Sequence, residues 1–152
     1  MIRVLTNDGL QEASIDALKA LGVEVVNDHI GQDELGEKLK DFDAIVIRSA
    51  TKLTADVFNA EKGGKLKLAI RAGVGVDNID IPAGNSVGVT VKNTPSASSN
   101  SVAELALAHM LSVARFIGIS NATMRNGEWN KKKYQGTEIS GKVLGIVGMG
   151  RI

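Results

Sequence analysis

Two arginines stand where an anion could be bound. Arg48 follows the apolar run Ala44-Ile45-Val46-Ile47, and Arg71 follows Leu66–Ile70 and opens the glycine-rich sequence RAGVGVDNID. A guanidinium matches a carboxylate or phosphate with paired hydrogen bonds, so arginines at strand ends suit a small acidic ligand. The competing reading of Arg48, with Ser49 beside it, is a solvated loop. Gly73 and Gly75 can be turn geometry alone. Alternatively, the backbone amides of that turn face a carboxylate, with Arg71 nearby. Asp77 is expected to hydrogen-bond the turn rather than to take part in chemistry.

Two further segments carry chemistry. The apolar run Val143–Val147 leads directly into Gly148-Met149-Gly150-Arg151-Ile152. A buried strand followed by paired glycines allows a pyrophosphate to approach the backbone closely. A full dinucleotide fingerprint also needs a helix after the turn and an acidic residue about 20 positions later. Lys131-Lys132-Lys133, just after Trp129, is either a solvated run or a phosphate contact. There are no cysteines, so disulfides, thiolate metal sites and Cys nucleophiles are excluded. His29 and His109 are too few for a histidine-rich metal site.

Composition narrows the class. The chain has 152 residues, and 18 Lys+Arg against 17 Asp+Glu leave a charge of +1, which argues against a nucleic-acid binder. With 43% apolar and 23% charged residues it reads as a globular protein, not a disordered one. No apolar run approaches the ~20 residues of a membrane span, and Met1–Leu5 reads as a strand rather than a signal peptide, so a cytoplasmic location is expected.

The elements that must position these groups follow from periodicity. Strands are expected at Ile2–Leu5, Val23–Val26, Ala44–Ile47, Leu66–Ile70 and Gly88–Val91, with a further buried strand at Val143–Val147. Leu10, Ala17, Leu18 and Leu21 mark a helix ending at Gly22, opened by a capping box between Asp8 and Gln11. Leu35, Leu39 and Phe42 mark a second. Thr54 caps a third through Phe58, and Asp80 before Pro82 starts a fourth. Alternating strands and helices imply parallel βαβ units, here a flavodoxin-like doubly wound layer. In such sheets ligands lie beyond the carboxyl ends of the strands, where Arg48-Ser49-Ala50-Thr51 and Arg71–Asp77 stand.

The polar stretch 93–101 reads as a linker, dividing residues 1–97 from 98–152. Asn93 and Ser101 edge it. One helix is expected over 101–118, roughly 27 Å long, capped by an S-x-x-E box of Ser101 and Glu104. Val102, Leu105, Ala106, His109, Met110, Val113 and Ile117 form its apolar stripe. Small residues at Ala103, Ala106 and Ala108 would permit close helix approach. Asn126-Gly127 ends the helical region.

Taken together, IVIRSATKLT (45–54), LAIRAGVGVDNIDI (68–81), VKNTPSASSNSVAELALAHML (91–111) and NGEWNKKKYQGTEISGKVLGIVGMGRI (126–152) resemble the D-isomer-specific 2-hydroxyacid dehydrogenases along the whole chain. The resemblance implies an α/β fold: a substrate domain over 1–97, then the start of a Rossmann nucleotide-binding domain over 98–152. It also implies that Arg48, Ser49, Arg71, Gly73 and Val74 line the substrate site, and that Lys131 reaches the phosphate site of a neighbouring subunit. Cofactor contacts are implied at Val74, Gly148, Gly150, Arg151 and Ile152.

The activity so implied is NAD-dependent oxidation of D-3-phosphoglycerate to 3-phosphohydroxypyruvate, in serine biosynthesis, by a homodimer or higher homo-oligomer. The substrate is a small anionic 2-hydroxy acid; neither nucleic acid nor a membrane is a partner. The family's general acid/base histidine, its carboxylate partner and its catalytic arginine fall beyond position 152, and neither His29 nor His109 matches that motif. No catalytic residue is therefore assigned in this chain, and no metal; on its own the chain is expected to be inactive. The alternatives are a reductase of glyoxylate, hydroxypyruvate or another D-2-hydroxy acid, and an inactive binding or dimerising module.

Overall fold

A computed structural model describes all residues, Met1–Ile152. The backbone divides into two compact units, Met1–Ala97 and Ser98–Ile152.

The first unit alternates strand and helix: β1 (Arg3–Thr6), α1 (Glu12–Ala20), β2 (Glu24–Val26), α2 (Gln32–Leu39), β3 (Ala44–Ile47), α3 (Ala55–Glu61), β4 (Leu68–Arg71), α4 (Ile81–Ser86) and β5 (Thr90–Asn93). The strands form one parallel sheet in the order β2-β1-β3-β4-β5. This is the flavodoxin-like order, with the direction of winding reversing between β1 and β3. Ala44–Ile47 is buried along its whole length, as expected of a central strand covered on both faces. Leu35, Leu39, Phe42, Ile45, Phe58 and Leu66 belong to the main core cluster, and Val4, Ala44 and Val46 form a smaller one.

Local signals hold at several boundaries. Thr54 accepts a hydrogen bond from Val57 N at 3.5 Å, and Asp80 accepts one from Ala83 N at 3.0 Å. Gly22 and Gly127 close their helices with φ of +78° and +81°, a region glycine enters without penalty. At other boundaries the structure differs. The cap of α1 is Gln11, without a side-chain bond, because Asp8 is turned to other partners. The Ser101/Glu104 box does not form either: the helix begins earlier, at Ser99, and Ser101 lies inside it.

In the second unit the expected single helix is two. The first, α5 (Ser99–Arg115), ends at Phe116 in the left-handed region (φ +53°), and α6 (Ile117–Arg125) continues at a bend of 63°. The bend has a packing cause. Thr137 N donates to Ala114 O at 2.9 Å, and the Phe116 and Tyr134 rings lie 5.9 Å apart. The returning segment thus takes up a carbonyl at the end of α5. Neither helix buries a residue, so the apolar stripe is exposed; Val113 is 77% accessible. It borders an open apolar groove of about 700 Å³ with Met110, Ile139, Val143 and Leu144.

The strand expected at Val143–Val147 does not form, and Val147 is fully exposed. A strand buried on both faces needs hydrogen-bonded neighbours, and the 98–152 unit contains no other strand. No single helix is long and apolar enough to cross a membrane.

One buried acid carries a stability prediction. Glu61, 2% exposed, accepts from Leu66 N at 3.1 Å. Burial pushes its carboxyl above the ordinary glutamate value, only partly offset by that bond and by Lys67 and Lys40. The protonated form is favoured by folding, so this contribution is fully present at acid pH and is lost as pH rises through the folded value. Glu61→Gln keeps the acceptor and removes the buried charge. It should melt higher than wild type at neutral pH, with the gap closing on acidification; a pH-independent loss of stability would contradict this.

Candidate anion site at the carboxyl edge of the sheet

Parallel strands end together, so the loops after β1, β3, β4 and β5 gather at one edge. Ile47 and Arg71 are register partners in β3 and β4, which places Arg48 and Arg71 at the ends of adjacent strands. Arg71 Nε lies 3.4 Å from Arg48 O, tying the two loops together. Only two ion pairs form in the molecule, Arg3–Glu24 and Lys40–Glu37, so neither Arg48 nor Arg71 has a carboxylate partner. An arginine pair without internal counter-charge is suited to an external anion.

The glycine turn is built around Arg71. A Cβ on Gly73 would sit 2.7 Å from Arg71 Nη1 and 3.1 Å from its Cζ. One on Gly75 would sit 3.0 Å from Asp77 Oδ1. Glycine at 73 is what lets the guanidinium lie against the turn. Of the amides expected to face a carboxylate, Gly73 N is already engaged, donating to Arg71 O at 2.9 Å. Val74 and Gly75 N–H have no protein acceptor, and Val74 is itself exposed. The Gly73 carbonyl accepts from Thr94 N at 3.0 Å, and Asn93 Nδ2 donates to Val74 O at 2.7 Å. Asn93, which the sequence marks only as a linker residue, thus holds the turn.

Asp77, expected to bond this turn, accepts no hydrogen bond through its carboxylate; the neighbouring Asn78 instead ties the chain after the turn to the 48–51 loop. Asn78 Nδ2 donates to Arg48 O at 2.8 Å and to Thr51 O at 2.7 Å. Its Oδ1 is buried without a partner. Opposite, Asp8 accepts from Arg48 N at 2.6 Å and from Thr51 N and its hydroxyl. Burial works to raise the Asp8 carboxyl, but these bonds together outweigh it and hold the group below the ordinary aspartate value. Asp8 and Asn78 are the site residues that sequence reading missed. For Asp8 the available signal was position, two residues past a strand of a doubly wound sheet; Asn78, seven residues past β4, carried no such signal.

Arg48, Ser49, Arg71, Gly73 and Val74 therefore share one edge of the 1–97 unit. Lys131, Gly148, Gly150, Arg151 and Ile152 belong to the 98–152 unit. Lys131 is exposed and lines, with Arg115, Trp129 and Tyr134, a pocket of about 450 Å³. Gly148 has φ +90°, and nothing lies within 4 Å of a Cβ on Gly148 or Gly150. The glycines suit a close phosphate approach, and no strand is formed directly before them.

Comparison with known proteins accords with this fold. D-3-phosphoglycerate dehydrogenase of Methanocaldococcus jannaschii is 47% identical over 152 residues, covering all of this chain and 29% of that protein. Hydroxypyruvate reductase of Thermotoga maritima is 44% identical over 151 residues, covering 99% of this chain and 49% of that protein. The chain thus spans from under a third to about half of these relatives. Among solved structures, the TT0316 protein of Thermus thermophilus superposes with a TM-score of 0.85 at 31% identity, over 99% of this chain and 50% of that one. The NAD+-bound 3-phosphoglycerate dehydrogenase of Entamoeba histolytica gives 0.62 at 31% identity, over 75% of this chain and 39% of that one. The sequence profile of the D-isomer specific 2-hydroxyacid dehydrogenase catalytic domain matches residues 4–139, and the chain belongs to that family.

Proposed function

We propose that this chain is the substrate-binding part of an NAD-dependent D-3-phosphoglycerate dehydrogenase. The reaction oxidises the C2 hydroxyl of D-3-phosphoglycerate to the ketone of 3-phosphohydroxypyruvate, with NAD reduced and one proton released. The observation that carries this reading is the pair Arg48 and Arg71, adjacent at the sheet edge and both without a carboxylate partner. A substrate with a carboxylate and a phosphate offers anions for such a pair. Ser49 and the free amides of Val74 and Gly75 supply neutral donors beside it. On this reading residues 1–97 form the substrate domain and 98–152 open the nucleotide domain. Cofactor contacts at Val74, Gly148, Gly150, Arg151 and Ile152 belong to the proposal and rest on the family motif. So does assembly as a homodimer or higher homo-oligomer. Place in serine biosynthesis follows from the reaction.

A second reading, reduction of hydroxypyruvate or another 2-keto acid, is favoured by the 44% identity to the Thermotoga maritima reductase. Incubating the enzyme that carries this chain with D-3-phosphoglycerate and NAD separates the two. The proposal predicts 3-phosphohydroxypyruvate by mass; no turnover of the phosphorylated acid, with rapid reduction of hydroxypyruvate, would favour the second.

Lys131 tests the phosphate part of the reading. If it contacts phosphate across a subunit boundary, Lys131→Ala raises KM for phosphoglycerate and leaves a non-phosphorylated 2-hydroxy acid unchanged. The effect should be about 1 kcal/mol, since an exposed lysine stays hydrated, and salt should shrink it. Equal shifts for both substrates, or none, would refute the contact.

A further inference from the structure

We propose that Asp8 is the positioning residue for Arg48, bridging the crevice where the sheet reverses its winding between β1 and β3. The inference deepens the reading above and rests on Arg48 binding substrate.

Asp8 lies just past β1, 40 residues from the loop it holds. Its Oδ2 accepts from Arg48 N at 2.6 Å and from Thr51 N at 3.2 Å. Its Oδ1 accepts from Thr51 N at 3.1 Å and from the Thr51 hydroxyl. Asn78 grips the same two residues through their carbonyls. The loop 48–51 thus has amides and carbonyls fixed at both ends, from opposite sides. The clamp is itself anchored. Asn7 Nδ2 donates to Thr51 Oγ1 at 2.9 Å, and Asn7 Oδ1 accepts from Ile30 N at 2.8 Å. Thr51 and Asn7 are both buried.

The chemistry calls for a carboxylate. Both oxygens accept, so an amide of the same shape would turn an N–H donor towards another donor. The charge is directed at backbone: no ion pair joins Asp8 to the Arg48 side chain. The arginine is therefore fixed at its amide while its guanidinium stays available. Loosening that amide adds backbone freedom to a group that must meet an anion in one geometry, and small misplacements of binding groups are costly.

The test is a double-mutant cycle in the enzyme that carries this chain, with KM for D-3-phosphoglycerate as readout. Asp8→Asn should raise KM roughly ten-fold with a smaller change in kcat. In an Arg48→Ala background the same change should alter KM by less than about two-fold, because nothing remains to position. Thr51→Val, which removes the hydroxyl that donates to Asp8 and accepts from Asn7 but keeps the backbone bonds, should reproduce part of the effect, and Thr51→Ser should restore wild-type KM. These two also serve if Asp8→Asn does not fold. An unchanged KM in folded Asp8→Asn and in Thr51→Val overturns the proposal. So does an equal rise in both backgrounds, which a purely structural role would give. If Arg48→Ala alone leaves KM unchanged, the anion-site reading has failed, and this inference falls with it.

Discussion

Arg48→Ala is expected to raise KM for D-3-phosphoglycerate roughly ten- to hundred-fold while leaving NAD affinity nearly intact. A hydrogen bond to a charged group contributes about 1.5–3 kcal/mol, and each 1.4 kcal/mol is a factor of ten. The loss should fall on substrate because the Arg48 side chain makes no internal bond whose removal would unsettle the fold. Only its backbone is held, by Asp8 and Asn78, and alanine keeps that backbone. Arg71→Ala should act similarly but less cleanly. Its side chain lies against Gly73 and approaches Arg48 O, so its removal also loosens the turn carrying Val74. Some loss of NAD affinity is therefore expected for Arg71→Ala alone. Unchanged KM in both variants would remove the anion-site assignment.

Gly36→Ala is expected to destabilise the first unit by about 1–3 kcal/mol, the usual cost of overpacking. For a chain of this size each 1 kcal/mol is roughly 2–4 °C in Tm. Gly36 lies within α2, where alanine is intrinsically favoured by about 1 kcal/mol over glycine. Packing should reverse that preference. A Cβ at 36 would meet Ala60 Cβ at 2.6 Å and the Val57 carbonyl oxygen at 2.9 Å, both on α3. The obstacle includes backbone, so the helices must separate, disturbing Leu35, Leu39 and Phe58 beneath them. A melt at or above wild type would show that propensity wins and that the contact relaxes easily.

The sheet was legible because its signals are local and strong. Ala44–Ile47 announces a doubly buried strand by composition, and Thr54 and Asp80 announce helix starts by side-chain chemistry. What was misread depends on contacts distant in sequence. Asp8 has a plausible capping partner three residues away, but its actual donors lie some 40 residues on, where three of them outweigh one. The break at Phe116 has no proline to mark it, and Gly118 two residues on is a weak signal by itself; the break lies where Thr137 reaches Ala114. Val143–Val147 has the composition of a strand, but no strand in its unit offers it a partner. At the site, the arginines were visible from their place after apolar runs. Their supporting residues were not: Asn78 sits beside the more conspicuous Asp77, and Asn93 within what reads as a linker.

The most direct measurement of the central claim is the ratio of kcat/KM for D-3-phosphoglycerate to that for D-glycerate in the enzyme that carries this chain. The two acids differ only by the phosphate. An anion site built for both charges predicts a ratio of roughly ten to a hundred or more, set by the added charge-assisted bonds. It also predicts that salt lowers the ratio. A ratio near one at low salt would contradict the account, because the unpaired arginines would then contribute nothing to recognition of the second anion.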